Sequence, residues 1–162
     1  MTGGPATRAE PVDALALPRF GYGAAALGNL FRVVDDATAA AVVDTAWDLG
    51  VRHFDVAPHY GLGLAERRIG TALAGRPRAA YVLSTKVGRR LEPSPETADR
   101  LDTANAFHVP ADHRRVWDDS AEGMRRSLVE SLVRLGADRV DVAYLHDPEE
   151  NLVDGQQIED AL

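Results

Sequence analysis

The chain of 162 residues contains no cysteine, which excludes disulfide bonds and thiol catalysis. It has no apolar run approaching the ~20 residues that a membrane-spanning helix needs. Its start, Met1 to Pro5, lacks the basic segment followed by an apolar core that marks a secretory signal. Cytoplasmic placement is therefore the default expectation. Positive charge is in deficit, with a net charge of −7, and this argues against nucleic acid, whose phosphates need clustered cations. Lysine is nearly absent. Lys86 is the only one among 18 basic residues, the rest being arginine.

That single lysine follows the apolar run Tyr81-Val82-Leu83-Ser84-Thr85. Arginine cannot replace lysine where chemistry needs a compact charge with a tunable pKa. Taken alone, Lys86 is equally well read as a leftover at a strand end. Two other polar residues hold matching positions: Asp55 closes Val51-Arg52-His53-Phe54, and His146 closes Val140 to Leu145. Each run follows a helical pattern. Right-handed crossovers in a parallel sheet bring all strand ends to one face, and in barrels of this type that face carries the active site. Asp55, Lys86 and His146 are therefore expected to converge.

The length suits one domain, and 45% apolar content is enough for a core. Residues 1–18, rich in Gly, Pro, Ala and charge, read as a flexible arm. Strands are predicted near 20–24, 51–54, 81–85 and 140–145. Helices are predicted near 36–49, capped by Asp35 or Asp36 and stopped by Gly50, with Trp47 on the packing face; near 64–74, ended by Gly75 and Pro77; and near 120–135. In the last, Met124, Leu128, Leu132 and Leu135 keep helical spacing, Asp119 with Glu122 resembles a capping box, and Gly136 closes the helix. A fourth helix is expected to begin near Gln156. Residues 88–118 break the rhythm, with Pro93, Pro95, Pro110 and many charges. They read as a long loop insertion over the strand ends, with Phe107 and Trp117 as pocket-wall or lid candidates. A solvent-facing insertion packed by its own aromatics fits the same residues. The pattern βαβαβαβ(α) gives an α/β fold with parallel strands, in about four βα units.

Tyr60 lies in the Gly- and Pro-rich turn Ala57-Pro58-His59-Tyr60-Gly61-Leu62-Gly63, which can fold it back over the end of its strand. Phenol, ammonium, carboxylate and imidazole together suit proton transfer to or from a carbonyl oxygen. In that set Tyr60 is the acid or base. Lys86 tunes it, because a nearby ammonium favours phenolate. Asp55 anchors the lysine and His146 orients the substrate.

The stretch Gly50-Val51-Arg52-His53-Phe54-Asp55-Val56-Ala57-Pro58-His59-Tyr60-Gly61, continuing Leu64-Ala65-Glu66-Arg67-Arg68-Ile69-Gly70, resembles the signature of the aldo-keto reductases. Ser84-Thr85-Lys86-Val87-Gly88 and Tyr144-Leu145-His146-Asp147-Pro148 resemble that family's next two active-site segments. The resemblance implies a (β/α)₈ barrel of TIM type, an NADP- or NAD-linked carbonyl/alcohol reaction, and Asp55, Tyr60, Lys86 and His146 as the catalytic tetrad. It lies nearest the aldose dehydrogenase branch, associated with fucose- and arabinose-type sugars, with pyridoxal-oxidising relatives nearby. A complete barrel takes about 250 residues, so a truncated half-barrel is expected here, with most of the family's cofactor contacts beyond it.

For the cofactor, Gly28-Asn29 could offer exposed backbone to a nicotinamide or be a simple turn, and Asp55 is placed on the same side. His59 is a candidate for the pocket mouth, while His53 is expected to point toward the helices. Glu66 reads as a contact to cofactor or as a carboxylate helping its helix dipole. No metal site is expected, since His108, Asp112 and His113 lack a compact second pair. Three functional readings follow. One is an oxidoreductase acting on a small carbonyl or sugar. Another is a non-catalytic half-barrel needing a partner chain or self-associating through open edges. The third is a different barrel enzyme using Lys86 as a Schiff base.

Overall fold

Strand β2 (His53–Asp55) has only three residues, yet its alternation sets the two faces of the whole sheet. Phe54 points into the apolar core and is fully buried, while His53 and Asp55 take the opposite face. In the computed structural model, which describes residues 17–151, β2 pairs in parallel with β1 (Tyr22–Gly23) and with β3 (Val82–Val87). Strand β3 pairs in parallel with a last strand, Val142–Leu145. The result is a four-stranded parallel sheet, half of a barrel, as the four runs predicted. Registers Phe54↔Leu83 and Asp55↔Ser84 carry the two faces across the sheet. Residues 1–16 of the arm expected over 1–18, and the fourth helix expected near Gln156, lie outside the described residues.

Three helices cover the apolar face. Helix α1 (Asp36–Asp48) is capped by Asp35, whose side chain accepts from Thr38 N at 2.7 Å. Ala39 and Val43 bury one stripe, and Trp47 extends it by stacking on Phe54 at 6.5 Å between ring centroids. Helix α2 (Leu64–Leu73) buries Ala65, Ile69 and Leu73, one residue per turn.

Helix α3 (Ala121–Leu135) departs from expectation in two ways. Its cap is Ser120, which accepts from Gly123 N at 3.0 Å, rather than the Asp119–Glu122 pair. Its buried stripe is Gly123, Ser127, Ser131 and Leu135, with Met124, Leu128 and Leu132 only partly covered. The reason is close helix approach. A Cβ at Gly70 of α2 would meet the Leu135 carbonyl oxygen at 2.2 Å, so the contact admits only small side chains.

Residues 88–118 are not a structureless loop. Strand β4 (Arg89–Pro93) pairs antiparallel with β5 (His113–Trp117), from Arg89↔Trp117 to Pro93↔His113, and the element Val142–Leu145 is therefore β6. Arg89 and Arg90 on this ribbon are buried and Arg115 is largely covered, each neutralised by carboxylates: Arg90 sits 3.3 Å from Asp118, and Arg115 is held by Asp102 at 2.6 Å. Apolar alternation, the usual mark of a strand, is replaced here by ion pairing. The excursion carries a small core of its own, Leu62, Leu91, Phe107 and Val109, and Tyr60 packs against it. The ribbon thereby becomes a wall for the sheet's carboxyl ends.

Candidate active site

The turn after β2 brings Tyr60 over the sheet by a backbone contact that tolerates no side chain. Gly61 adopts φ of 61°, and a Cβ there would meet Gly28 O at 2.2 Å; a Cβ on Gly28 would meet Tyr60 C at 2.6 Å. Two glycine backbones lie flat on each other and fix where Tyr60 leaves the chain.

Lys86 Nζ donates to Asp55 Oδ2 at 2.6 Å and to the Val56 carbonyl at 3.2 Å. It lies 5.0 Å from the centroid of the Tyr60 ring. Burial pulls its pKa down, but the hydrogen bond and charge of Asp55, joined by Tyr60, outweigh that and raise it above the ordinary lysine value. The ammonium is therefore kept charged. The other carboxylate oxygen, Asp55 Oδ1, accepts from Ser84 Oγ at 2.7 Å, and His53 Nε2 lies 3.0 Å from the same hydroxyl. His53 lies on the same face of the sheet as Asp55, not on the helix face, because residues two apart on a strand share a face.

His146 lies against Tyr60, ring centroids 5.9 Å apart and planes at 84°. Its backbone N–H holds it to Val87 O at 3.0 Å, across the β3–β6 junction. Burial, with the positive charge of Arg89, lowers its pKa to about 4, so the ring is neutral at pH 7. His59 stands edge-on to His146 at 5.5 Å and to Phe107 at 5.3 Å. Burial, then Arg115 and Arg89, lower its pKa to about 3. Phe107 is buried and 6.4 Å from the Tyr60 ring. Trp117 reaches this group only through Arg89, which stacks on its ring at 4.3 Å.

Asp55, Tyr60, Lys86 and His146 are thus brought together, with His59 and Phe107 beside them. Gly28 and Asn29 are not presented to a ligand as exposed backbone. Gly28 is buried against Tyr60–Gly61. Asn29 spends its amide on Val34 N, Arg68 and the His108 carbonyl, at 2.8–3.2 Å. Glu66 is not a free carboxylate, although it does stand in the first turn of α2. It is fully buried, accepting from Thr85 Oγ1 at 2.8 Å and from Arg134 Nε.

A family model described as the aldo/keto reductase family matches residues 19–162. This chain belongs to the aldo/keto reductases. Over 149 residues it is 55% identical to a D-threo-aldose 1-dehydrogenase from Pseudomonas sp., covering 90% of this chain and 45% of that protein. The structure resembles the holo form of an aldo-keto reductase from Bacillus halodurans, with a TM-score of 0.58 and 30% identity, covering 80% of this chain and 38% of that one. It also resembles an aldo-keto reductase from Klebsiella pneumoniae solved in complex with NADPH, with a TM-score of 0.55 and 25% identity, covering 80% and 35%. The chain spans less than half the length of each of these relatives.

Ser84, Arg89, Arg115 and Asp147 also stand at the site of this aldo/keto reductase chain. Ser84 had a usable signal: it lies two positions before Lys86 on the same strand, and so shares its face. Arg89, Arg115 and Asp147 had none, since their meeting depends on the hairpin and on Asp147 adopting φ of 43°.

Proposed function

We propose that this face serves an NAD(P)-dependent oxidoreductase acting on aldose-like substrates or related small carbonyl compounds, with Tyr60 as general acid/base. The observation that carries the reading is the Asp55–Lys86 pair at 2.6 Å, placed under the ring of Tyr60 beside a neutral His146. The Pseudomonas relative supports the sugar, and the Klebsiella relative supports the nicotinamide.

The described residues fit such a cofactor at its reacting end. Gly23 stands in register with Asp55, and a Cβ there would meet nothing within 4 Å, so the strip beside the carboxylate is clear for a flat ring. Asp55 would face that ring. When bound, the nicotinamide supplies the acceptor for the hydrogen that leaves the carbinol carbon with its electron pair. The chain handles the proton. In oxidation Tyr60 Oη takes the proton of the substrate hydroxyl, and in reduction it returns one to the carbonyl oxygen. The Lys86 ammonium stabilises the negative charge that develops on the phenolic oxygen, and Asp55 holds the ammonium in place. Neutral His146 can donate a ring N–H to the substrate oxygen without adding charge. His59 and Phe107 wall the site against water.

Mixing the protein with NAD⁺ or NADP⁺ and a set of aldoses, and following reduced nicotinamide by absorbance, tests the reading. Aldose-dependent reduction supports it; reduction only with bulky apolar alcohols contradicts the sugar assignment.

A second reading is favoured by the open sheet. Among the described residues, one edge of β1 and one edge of β6 are unpaired, and Tyr144 on β6 is 42% exposed. Unpaired edges recruit other strands. A polypeptide limited to these 162 residues is then expected to self-associate or to need a partner chain, and to bind cofactor weakly. Size-exclusion chromatography of that polypeptide, with and without NADP⁺, separates this from an active monomer.

A further inference from the structure

Buried polar atoms without partners are uncommon, and each calls for a cause. In this chain several gather beside the tetrad. His59 Nδ1, His146 Nδ1, Arg89 Nε and Arg115 Nε are all buried with no hydrogen-bond partner among the described residues. Arg89 and Arg115 line a cavity of about 200 Å³ together with Asn105, Trp117 and Glu150.

The cavity is rigidly built. Arg89 has a side chain only 8% exposed, and one of its nitrogens, Nη2, takes both Asp147 Oδ2 at 2.7 Å and Glu150 Oε2 at 2.9 Å. Its guanidinium plane is fixed again by the stack on Trp117. Arg115 is held by both oxygens of Asp102 and by the His59 carbonyl. Asn105 donates its amide N–H to Asp102 at 2.7 Å, which leaves its carbonyl oxygen for another donor. Asp147 also lies 3.5 Å from His146 Nε2, so the cavity adjoins the tetrad.

Charge decides the class of ligand. Two guanidinium groups face three carboxylates, Asp147, Glu150 and Asp102, so no cationic excess remains for a phosphate or a carboxylate. What remains is Arg89 Nη1, which has no hydrogen-bond partner among the described residues, beside carboxylate and amide acceptors, with Trp117 as the apolar wall. Neighbouring hydroxyl groups match that alternation, since each both donates and accepts.

We propose that this cavity is a recognition subsite for the vicinal hydroxyls of an uncharged polyol chain, the part of a sugar away from its reacting carbon, with Arg89 as the principal donor. The inference rests on the aldose reading above and names the residues that select the aldose.

The test uses the protein carrying this sequence. D-arabitol, which has the hydroxyls and no carbonyl, is titrated against tryptophan fluorescence, and kcat/KM is measured for D-arabinose and for glyceraldehyde. Arg89→Met should weaken arabitol binding at least tenfold and lower the arabinose-to-glyceraldehyde ratio of kcat/KM at least tenfold. Asn105→Ala should lower both about threefold, and it decides the matter if Arg89→Met fails to fold. An unchanged ratio and unchanged arabitol affinity in the folded variants would overturn the proposal, as would displacement of arabitol by inorganic phosphate at equal concentration. Arabitol binding that depends on Arg89 in an enzyme that oxidises no aldose would uphold the subsite and refute the reaction reading. Aldose oxidation indifferent to Arg89 would do the reverse.

Discussion

Ser84 gives its hydroxyl proton to Asp55 Oδ1 at 2.7 Å, and His53 Nε2 lies 3.0 Å from the hydroxyl oxygen of Ser84. A serine has one proton to give. His53 must therefore be the donor, and its Nε2 carries hydrogen. Asp55 is held from two sides, by Lys86 on one oxygen and by this donor chain on the other. Nitrogen-15 NMR of the imidazole should show the Nε2–H form of His53 when neutral; an Nδ1–H tautomer would contradict the direction of the chain.

Ser84→Ala removes one of those two supports from a fully buried position. A lost bond to a charged group costs about 1–3 kcal/mol. We expect that range in urea denaturation, together with a looser Lys86, seen as faster hydrogen exchange at Nζ. A variant with native stability would mean that Lys86 alone holds Asp55.

Glu66→Ala strips the partner from Arg134 and from Thr85 at the α2–α3 contact. Breaking a buried ion pair by removing one member costs about 3–5 kcal/mol. Glu66→Gln should cost less, because it keeps both contacts without the charge. If both substitutions were equally mild in denaturation, Glu66 would be an ordinary core filler.

Gly28→Ala would drive a methyl group into the backbone of Tyr60 and Gly61, at 2.6 and 2.7 Å. Backbone cannot step aside as a side chain can, so the Tyr60 turn must move. Overpacking of this kind costs about 1–3 kcal/mol. Catalytic turnover should fall further than stability, and comparing kcat with the denaturation midpoint checks this.

Folded His146 and His59 have pKa values lowered to about 4 and about 3, against about 6.5 for an unfolded histidine. Between pH 6.5 and 4 the unfolded chain binds more protons than the folded one, so stability rises with pH through that window and is lost on acidification. Thermal melts across the window should show this slope, and His59→Phe should flatten it. A melting temperature that climbs as pH falls from 6.5 to 4 would contradict the buried, neutral state of both rings.

The sheet was legible because short apolar runs ending at or near Asp55, Lys86 and His146 alternate with helical patterns, and because Asp35, Gly50 and Gly136 punctuate the helices. The meeting of Asp55, Lys86 and His146 was legible for the same reason, as parallel strands share one carboxyl end. The ribbon of β4 and β5 was not, since Arg89, Arg90 and Arg115 are largely withdrawn from solvent by neutralisation and read as solvent-facing charge. The true face of α3 was hidden by its use of Gly123, Ser127 and Ser131, small residues that hydrophobic spacing overlooks. Asn29 and Glu66 looked available for ligands because their partners, Arg68, His108, Thr85 and Arg134, come from distant sequence.

The most direct measurement compares the protein with its Tyr60→Phe variant, recording turnover of D-arabinose and affinity for the nicotinamide side by side. If Tyr60 is the proton carrier over the Asp55–Lys86 pair, the variant should lose turnover by at least a hundredfold, in the ~10²–10⁴ range of a positioned acid or base. Its cofactor affinity should stay within about twofold, as expected for a group that acts on the proton and not on binding. A variant that keeps its turnover, or that loses both together, would contradict the assignment.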